Sequence, residues 1–273
     1  LNFETLDHLV IQKFIRNSKL KIQNWVTMDK KIDNNKPFLL RGDSETGVLL
    51  LHGWTSPAGE LRPMADFLNS LGYSVYVPLL RGHGTCPEDL LGVKWQDWFE
   101  DAEKALEELK KCSSSIFVSG ISMGGNLAMM LAEDESVAGI MPMGASVKYK
   151  FHSVDKLVLV FMALTKVYRK KYYPPWVRKK MGKRDVYPHY PVESAREIMR
   201  LADATRKFLP EITKPILIMQ SDADHMVSKK SPQIIFDGVK SKTKEIFWVK
   251  GAYHVFAQER KVWEKIGEFV SRV

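Results

Sequence analysis

From residue 47 onward, short apolar runs alternate with segments whose apolar positions recur every three or four residues, and this alternation leaves the chain few architectures. The runs at 48–51, 73–80, 116–119, 139–143, 216–220 and 245–249 are apolar on both faces and bounded by Gly, Pro or charged residues. Strands covered on both sides have this character. Between them fall helical stripes: Leu61, Met64, Phe67, Leu68 and Leu71; Trp95, Trp98, Phe99, Ala102, Ala105, Leu106 and Leu109; and Val262, Trp263, Ile266, Phe269 and Val270. Strands alternating with helices of this length predict an α/β fold, a mostly parallel central sheet flanked by helices.

The alternation breaks twice. Residues 1–35 begin with a helix-like stretch (Leu6, Leu9, Val10, Phe14), then turn polar and rich in Lys and Asn; they read as an N-terminal extension. Residues 146–210 are the second break and read as an insertion that divides the core into 36–145 and 211–273. Between Lys148 and Lys207 stand 16 Lys or Arg against 5 Asp or Glu, more than the whole chain's +9, so the remainder is slightly acidic. A charge asymmetry of this size marks the insertion as a structural unit of its own.

With 45% hydrophobic and 27% charged residues, the chain excludes disorder, collagen-like repeats and a disulfide scaffold. Its longest apolar run, 157–164, is well short of the ~18–20 residues that cross a bilayer. No charged segment followed by an apolar core opens the chain, which favours the cytoplasm, although a start without methionine leaves room for a leader removed earlier. Cys86 and Cys112 lack metal-ligand spacing and read as two unpaired thiols, with a bridge as the alternative.

Chemistry is concentrated at Gly120-Ile121-Ser122-Met123-Gly124, a Gly-x-Ser-x-Gly pattern directly after a predicted strand and directly before a helical segment (Leu127, Met130, Leu131). A serine on so sharp a strand-to-helix turn projects its oxygen above the sheet, and glycines two before and two after it avoid collisions with the neighbouring strand and helix. Without chemistry, the same pattern is a Gly-rich turn. A serine hydroxyl needs a base to become a nucleophile, and the base needs an orienting carboxylate.

His254, in the loop after the last strand, is the candidate base. His52 and His83 lie in Gly-rich loops and suit turn or supporting roles, His8, His152 and His189 read as ordinary polar residues, and His225 is the rival. For the acid, Asp222 and Asp224 compete in the loop after 216–220. Asp224 is favoured because Val227, three residues on, lets the loop turn back and pack; Asp222 then stabilises the loop by accepting backbone hydrogen bonds. The backbone N–H groups of Met123, after the nucleophile, and Trp54, in His52-Gly53-Trp54, are the expected oxyanion donors, with Gly53 allowing close approach of the backbone.

The order Ser122…Asp224…His254, with Leu51-His52-Gly53-Trp54, Leu71-Gly72-Tyr73, Arg81-Gly82-His83-Gly84 and the elbow itself, resembles the α/β-hydrolase family, and within it the small bacterial carboxylesterases and monoacylglycerol lipases. The resemblance covers roughly 36–145 and 212–273; residues 1–35 and 146–210 are unmatched. It implies hydrolysis of carboxylic esters through an acyl-serine intermediate, without metal or organic cofactor. It also implies a helical cap inserted between the sixth and seventh strands, where 146–210 falls. The stripe Val154, Leu157, Val158, Phe161 and Leu164 would then line an acyl pocket, with Val154 and Phe161 as candidate substrate contacts, or simply pack the cap onto the core.

The basic insertion reads as a solvated face or as a surface for anionic lipid; nucleic acid is the weaker reading, although Tyr172, Tyr173 and Trp176 among its cations would suit base stacking. An aminopeptidase or a C–C bond hydrolase would keep the same serine, and a binding protein on this scaffold would lack a catalytic residue. An imidazole base must be neutral to accept the proton, so activity should fall below a pH of about 6.5. Acyl-chain length, alcohol preference and oligomeric state have no signature in the sequence.

Overall fold

A computed structural model describes residues 36–149, 167–171 and 186–273. The N-terminal extension, the stripe with Val154 and Phe161, and the aromatic–basic stretch around Tyr172, Tyr173 and Trp176 lie outside the described residues.

Each predicted apolar run forms a strand. In chain order the sheet contains β1 (Phe38–Leu40), β2 (Thr46–Leu51), β3 (Ser74–Val77), β4 (Ser115–Ile121) and β5 (Val137–Met143), then, beyond the insertion, β8 (Ile216–Ser221) and β9 (Lys244–Val249). Their spatial order is β1-β3-β2-β4-β5-β8-β9. All neighbours pair parallel except β1, which runs antiparallel to β3 with Leu40 opposite Val75. The run at 73–80 is shorter than expected because Pro78, with no N–H to give the ladder, ends β3 at Val77.

Helices cover both faces. Val48 and Leu50 of β2 point into one cluster with Met64 and Leu68 of α1 (Arg62–Ser70) and Val262, Ile266 and Phe269 of α6 (Arg260–Arg272). The pleat sends Leu49 and Leu51 to the opposite face, where α2 (Trp95–Lys110) buries Trp98, Ala102, Leu106 and Leu109. All four β2 side chains from Val48 to Leu51 have no exposed surface, and burial of each such side chain contributes roughly 1.5–3 kcal/mol. The nucleophile pattern joins β4 to α3 (Met123–Met130), and α5 (Ser231–Gly238) precedes β9.

Residues 146–210 leave the sheet after β5 and return at β8, the fifth and sixth sheet strands among the described residues, where the resemblance counts sixth and seventh. The described part of this insertion is not purely helical. It holds a two-stranded antiparallel pair, β6 (Tyr168–Lys170) and β7 (His189–Pro191), followed by helix α4 (Val192–Phe208). Cys86 and Cys112 are free thiols, as expected. Among the described residues, no helix is long and apolar enough to cross a membrane.

Candidate active site

The strand order determines where a site can form. The chain grows the sheet from β2 to β3 on one side, then crosses back to place β4 on the other. Loops leaving neighbouring strands at such a reversal diverge and open a crevice at the carboxyl ends. The loop after β2 carries Gly53 and Trp54, and the turn after β4 carries Ser122.

Ser122 adopts φ +56° and ψ −112°, a left-handed conformation that costs a non-glycine residue about 1–3 kcal/mol unless its surroundings enforce it. Here they do. The Ser122 N–H donates to the Met143 carbonyl of β5 at 2.8 Å, and α3 starts hard against β2. A Cβ on Gly124 would lie 2.1 Å from the Leu51 carbonyl oxygen, and one on Gly120 2.4 Å from the Gly124 carbonyl, so only glycine fits at either position. At Gly53 a Cβ would meet Ile121 O at 3.4 Å, an ordinary contact; the protein itself does not crowd that residue.

The loop after β9 brings His254 to the serine. Its Nε2 lies 2.9 Å from Ser122 Oγ, and its Nδ1 lies 2.8 Å from Asp224 Oδ2. Asp224 is 1% exposed and its other oxygen accepts the backbone N–H groups of Met226 at 2.8 Å and Val227 at 2.9 Å. Burial pushes this carboxyl up, but the charge and ring N–H of His254, together with those two backbone donors, outweigh it and hold the pKa at about 2. The carboxylate is therefore ionised wherever the imidazole can act as a base.

The competing residues lie elsewhere. Asp222 Oδ1 accepts the Gly251 N–H at 2.8 Å and ties the two loops together. His225 stands beside His254, ring centres 6.3 Å apart and nearly perpendicular, outside the line of contacts from Ser122 through His254 to Asp224. His52 is fully buried, with Nε2 accepting the Leu80 N–H at 3.1 Å and Nδ1 against Gly53 O at 3.0 Å; burial lowers its pKa to about 4, so it braces the loop as a neutral ring. His83 packs against it, 4.9 Å between ring centres, and burial keeps it neutral too. Arg81, before Gly82, is anchored to α2 through Asp97 at 2.9 Å and Asp101 at 2.8 Å.

Trp54 and Met123 occupy the two loops that flank Ser122. Met123 is the first residue of α3, where a backbone N–H has no acceptor within the helix. Trp54 lies inside a four-residue turn closed by the Ser56 N–H on Gly53 O at 3.1 Å. Val154 and Phe161 fall outside the described residues.

Three residues escaped the sequence reading. Gln220, 1% exposed, donates its amide N–H to Asp224 Oδ2 at 2.7 Å, giving that oxygen a second donor beside His254. Its only signal was a polar side chain in an otherwise apolar run, since a buried amide must find a partner. Lys171 and Tyr187 reach the Trp54 turn from the insertion, and nothing local to either announces that contact.

The family model Hydrolase_4, described as serine aminopeptidase, S33, matches residues 42–261. The chain is 35% identical over 214 residues to a thermostable monoacylglycerol lipase from Bacillus sp. (strain H-257), covering 77% of this chain and 82% of that protein. It is 28% identical over 248 residues to a carboxylesterase from Bacillus subtilis (strain 168), covering 89% of this chain and 99% of the relative. Among solved structures, one reported with two metagenome-derived lipolytic enzymes superposes with a TM-score of 0.81 at 28% identity, over 89% of this chain and all of that one.

Proposed function

The chain belongs to the Hydrolase_4 family of α/β-hydrolases, and from that premise we propose that Ser122, His254 and Asp224 cleave carboxylic esters of apolar acyl chains, monoacylglycerols above all. Ester hydrolysis is the activity that its lipase and carboxylesterase relatives have in common, and the chain is a carboxylic ester hydrolase. One observation carries the assignment of residues: a single line of hydrogen-bond contacts from Ser122 Oγ through both nitrogens of His254 to Asp224.

In this mechanism Ser122 Oγ attacks the ester carbonyl while His254 Nε2 takes its proton. Asp224 holds the ring with Nδ1–H toward the carboxylate and stabilises the imidazolium. The N–H groups of Met123 and Trp54 receive the oxyanion. His254 returns the proton to the departing alcohol, and a water activated by the same imidazole releases the acid and restores the serine.

A fluorophosphonate should label the protein covalently, and Ser122→Ala should abolish both labelling and turnover; labelling that survives the substitution refutes the assignment. Monoacylglycerols of two to sixteen acyl carbons, set against triacylglycerols and aminoacyl p-nitroanilides, test the substrate. A preference for the anilides would favour the aminopeptidase reading, the name under which the family model is described.

The excess positive charge between Lys148 and Lys207 supports an extension of this proposal: the insertion draws the enzyme to anionic lipid–water interfaces. Co-sedimentation with phosphatidylserine vesicles should fall with rising salt, and indifference to both charge and salt rejects it. Two free thiols support action in a reducing compartment such as the cytoplasm, which cell fractionation tests.

A further inference from the structure

The turn Gly53–Ser56 has an unusual third residue. Thr55 takes φ +66° at the third position of a four-residue turn, where a positive φ normally goes with glycine. A β-branched side chain is the least suited to that region, and such a residue persists only when its surroundings leave it no alternative.

The surroundings come from the insertion. Lys171, one residue beyond β6, donates from its side-chain amine to Thr55 Oγ1. The Thr55 hydroxyl in turn donates a hydrogen bond to the Trp54 carbonyl. Tyr187 donates its backbone N–H to Thr55 O at 3.1 Å. Its buried phenol is pegged into the Arg-Gly-His-Gly loop, donating to Gly82 O at 3.1 Å and accepting the Thr85 N–H at 3.0 Å. Tyr190 of β7 packs edge-on against the Trp54 indole, 4.6 Å between ring centres, and the Lys171 ammonium stands 5.9 Å from the same indole. Two segments of the insertion thus grip the Trp54–Thr55 peptide from its carbonyl, its hydroxyl and its aromatic side.

We propose that Lys171 is a positioning residue for ester cleavage, acting through the Thr55 hydroxyl to fix the Trp54 backbone in the orientation that meets the oxyanion. The insertion therefore bears on the rate of the chemical step through the Trp54 turn. This rests on the reading of the Trp54 N–H as an oxyanion donor. Burial lowers the Lys171 ammonium to about 7, and no carboxylate pairs with it among the described residues. An amine buried at that cost, in contact with a strained residue of the proposed oxyanion loop, is more than a surface group.

The test compares Lys171→Met, Thr55→Val and Thr55→Ser by steady-state kinetics on p-nitrophenyl butyrate. Alongside these, it measures affinity for a trifluoromethyl ketone, which adds to the serine and places an oxyanion between the two donors. Loss of a whole oxyanion donor costs about 10²–10³ in kcat, so loosening one should cost about tenfold. Lys171→Met and Thr55→Val should each lose about tenfold in kcat and about tenfold in ketone affinity, with KM within about twofold of the wild type. Thr55→Ser, which keeps the hydroxyl, should retain both. Unchanged kcat in Lys171→Met and Thr55→Val overturns the proposal, as does an equal loss in Thr55→Ser. Should Lys171→Met fail to fold, the two Thr55 variants decide alone. Fluorophosphonate labelling of the wild type and its loss in Ser122→Ala separate this outcome from the reading it rests on. If Ser122→Ala still turns over, both fall; if it is dead and Lys171→Met is not impaired, only the clamp falls.

Discussion

Gly124→Ala is the sharpest perturbation the structure offers, because the added atom has nowhere to go. Its Cβ would stand 2.1 Å from the Leu51 carbonyl oxygen, 2.6 Å from the Leu51 carbonyl carbon and 2.8 Å from the His52 carbonyl oxygen. All three are backbone atoms, so no side chain can rotate away. Ordinary contact between a carbon and a carbonyl oxygen needs about 3.3–3.6 Å, so α3 and the end of β2 must separate by about 1 Å. Those two elements carry the residues proposed for the chemistry: Leu51 leads directly into His52-Gly53-Trp54, and Gly124 follows Ser122 by two residues and Met123 by one. Overpacking of this kind costs about 1–3 kcal/mol of stability, which in a chain of this size lowers Tm by roughly 2–12 °C. A 1 Å misplacement of reacting groups costs about 10²-fold in rate. Turnover of p-nitrophenyl butyrate and thermal unfolding measure the two effects. Gly53→Ala serves as the stability control, since its Cβ would meet Ile121 O at an ordinary 3.4 Å and should leave Tm nearly unchanged. A Gly124→Ala enzyme with wild-type kcat/KM and wild-type Tm would refute the close packing of elbow helix on strand from which the site geometry is argued.

Asp224→Asn keeps the shape of the acid and removes its charge, presenting an amide to a ring nitrogen that must remain protonated. In a comparable triad this tautomer error costs about 10⁴ in kcat, and kcat for this chain should drop by three to four orders of magnitude, with KM little changed, in the same ester assay. Gln220→Leu removes one charge-assisted hydrogen bond from a carboxylate that keeps His254 and two backbone donors. Such a bond is worth about 1.5–3 kcal/mol, so urea unfolding should show a loss of that order while kcat falls less than about tenfold. Acid unfolding follows from the same carboxylate, whose pKa is about 2 in the fold against an ordinary 3.8. A depressed carboxyl stabilises the fold in full above about pH 4 and loses that contribution as pH drops through 2, here about 2 kcal/mol. Urea midpoints at pH 5 and pH 2.5 should therefore fall further apart in the wild type than in Asp224→Asn.

How much of this was legible in the sequence depended on whether burial was achieved with apolar side chains. β2, β4, β5, β8 and β9 stand within a residue or two of the predicted runs because most of their residues are apolar, even where Ser119, Gln220 and Ser221 are buried among them. Helix α4 (Val192–Phe208) went unseen for the opposite reason. Its buried stripe includes Ser194, Glu197 and Thr205 beside Leu201 and Ala202, so its period is helical while its hydropathy is not. Glu197 is 1% exposed and survives there by pairing with Arg200 at 2.7 Å, a partner three residues on and visible only once the helix is assumed. β1 is three residues long and lies at the sheet edge, too short to show any period.

The same division runs through the site. Ser122, His254 and Asp224 could be proposed because each sits in a loop whose glycines, or whose position after a predicted strand, mark it in the sequence. What supports them could not. Gln220 is one amide in an apolar run, and Thr55 and Lys171 are 116 positions apart. Thr55 shows why the second kind of information is lost. At the place in the turn where glycine would have announced a left-handed backbone, the chain has a residue that gives no hint of one, and three contacts from the insertion supply the constraint instead. A glycine would adopt that conformation unaided. With threonine, the turn depends on the insertion, and a change at Lys171 or Tyr187 is felt at Trp54 although neither residue need touch the substrate. Thr55→Gly should therefore relieve the strain and uncouple the turn: added to Lys171→Met, it should cost less than the two losses multiplied together. A double variant whose loss in kcat equals that product would show that the strained backbone and the insertion act independently.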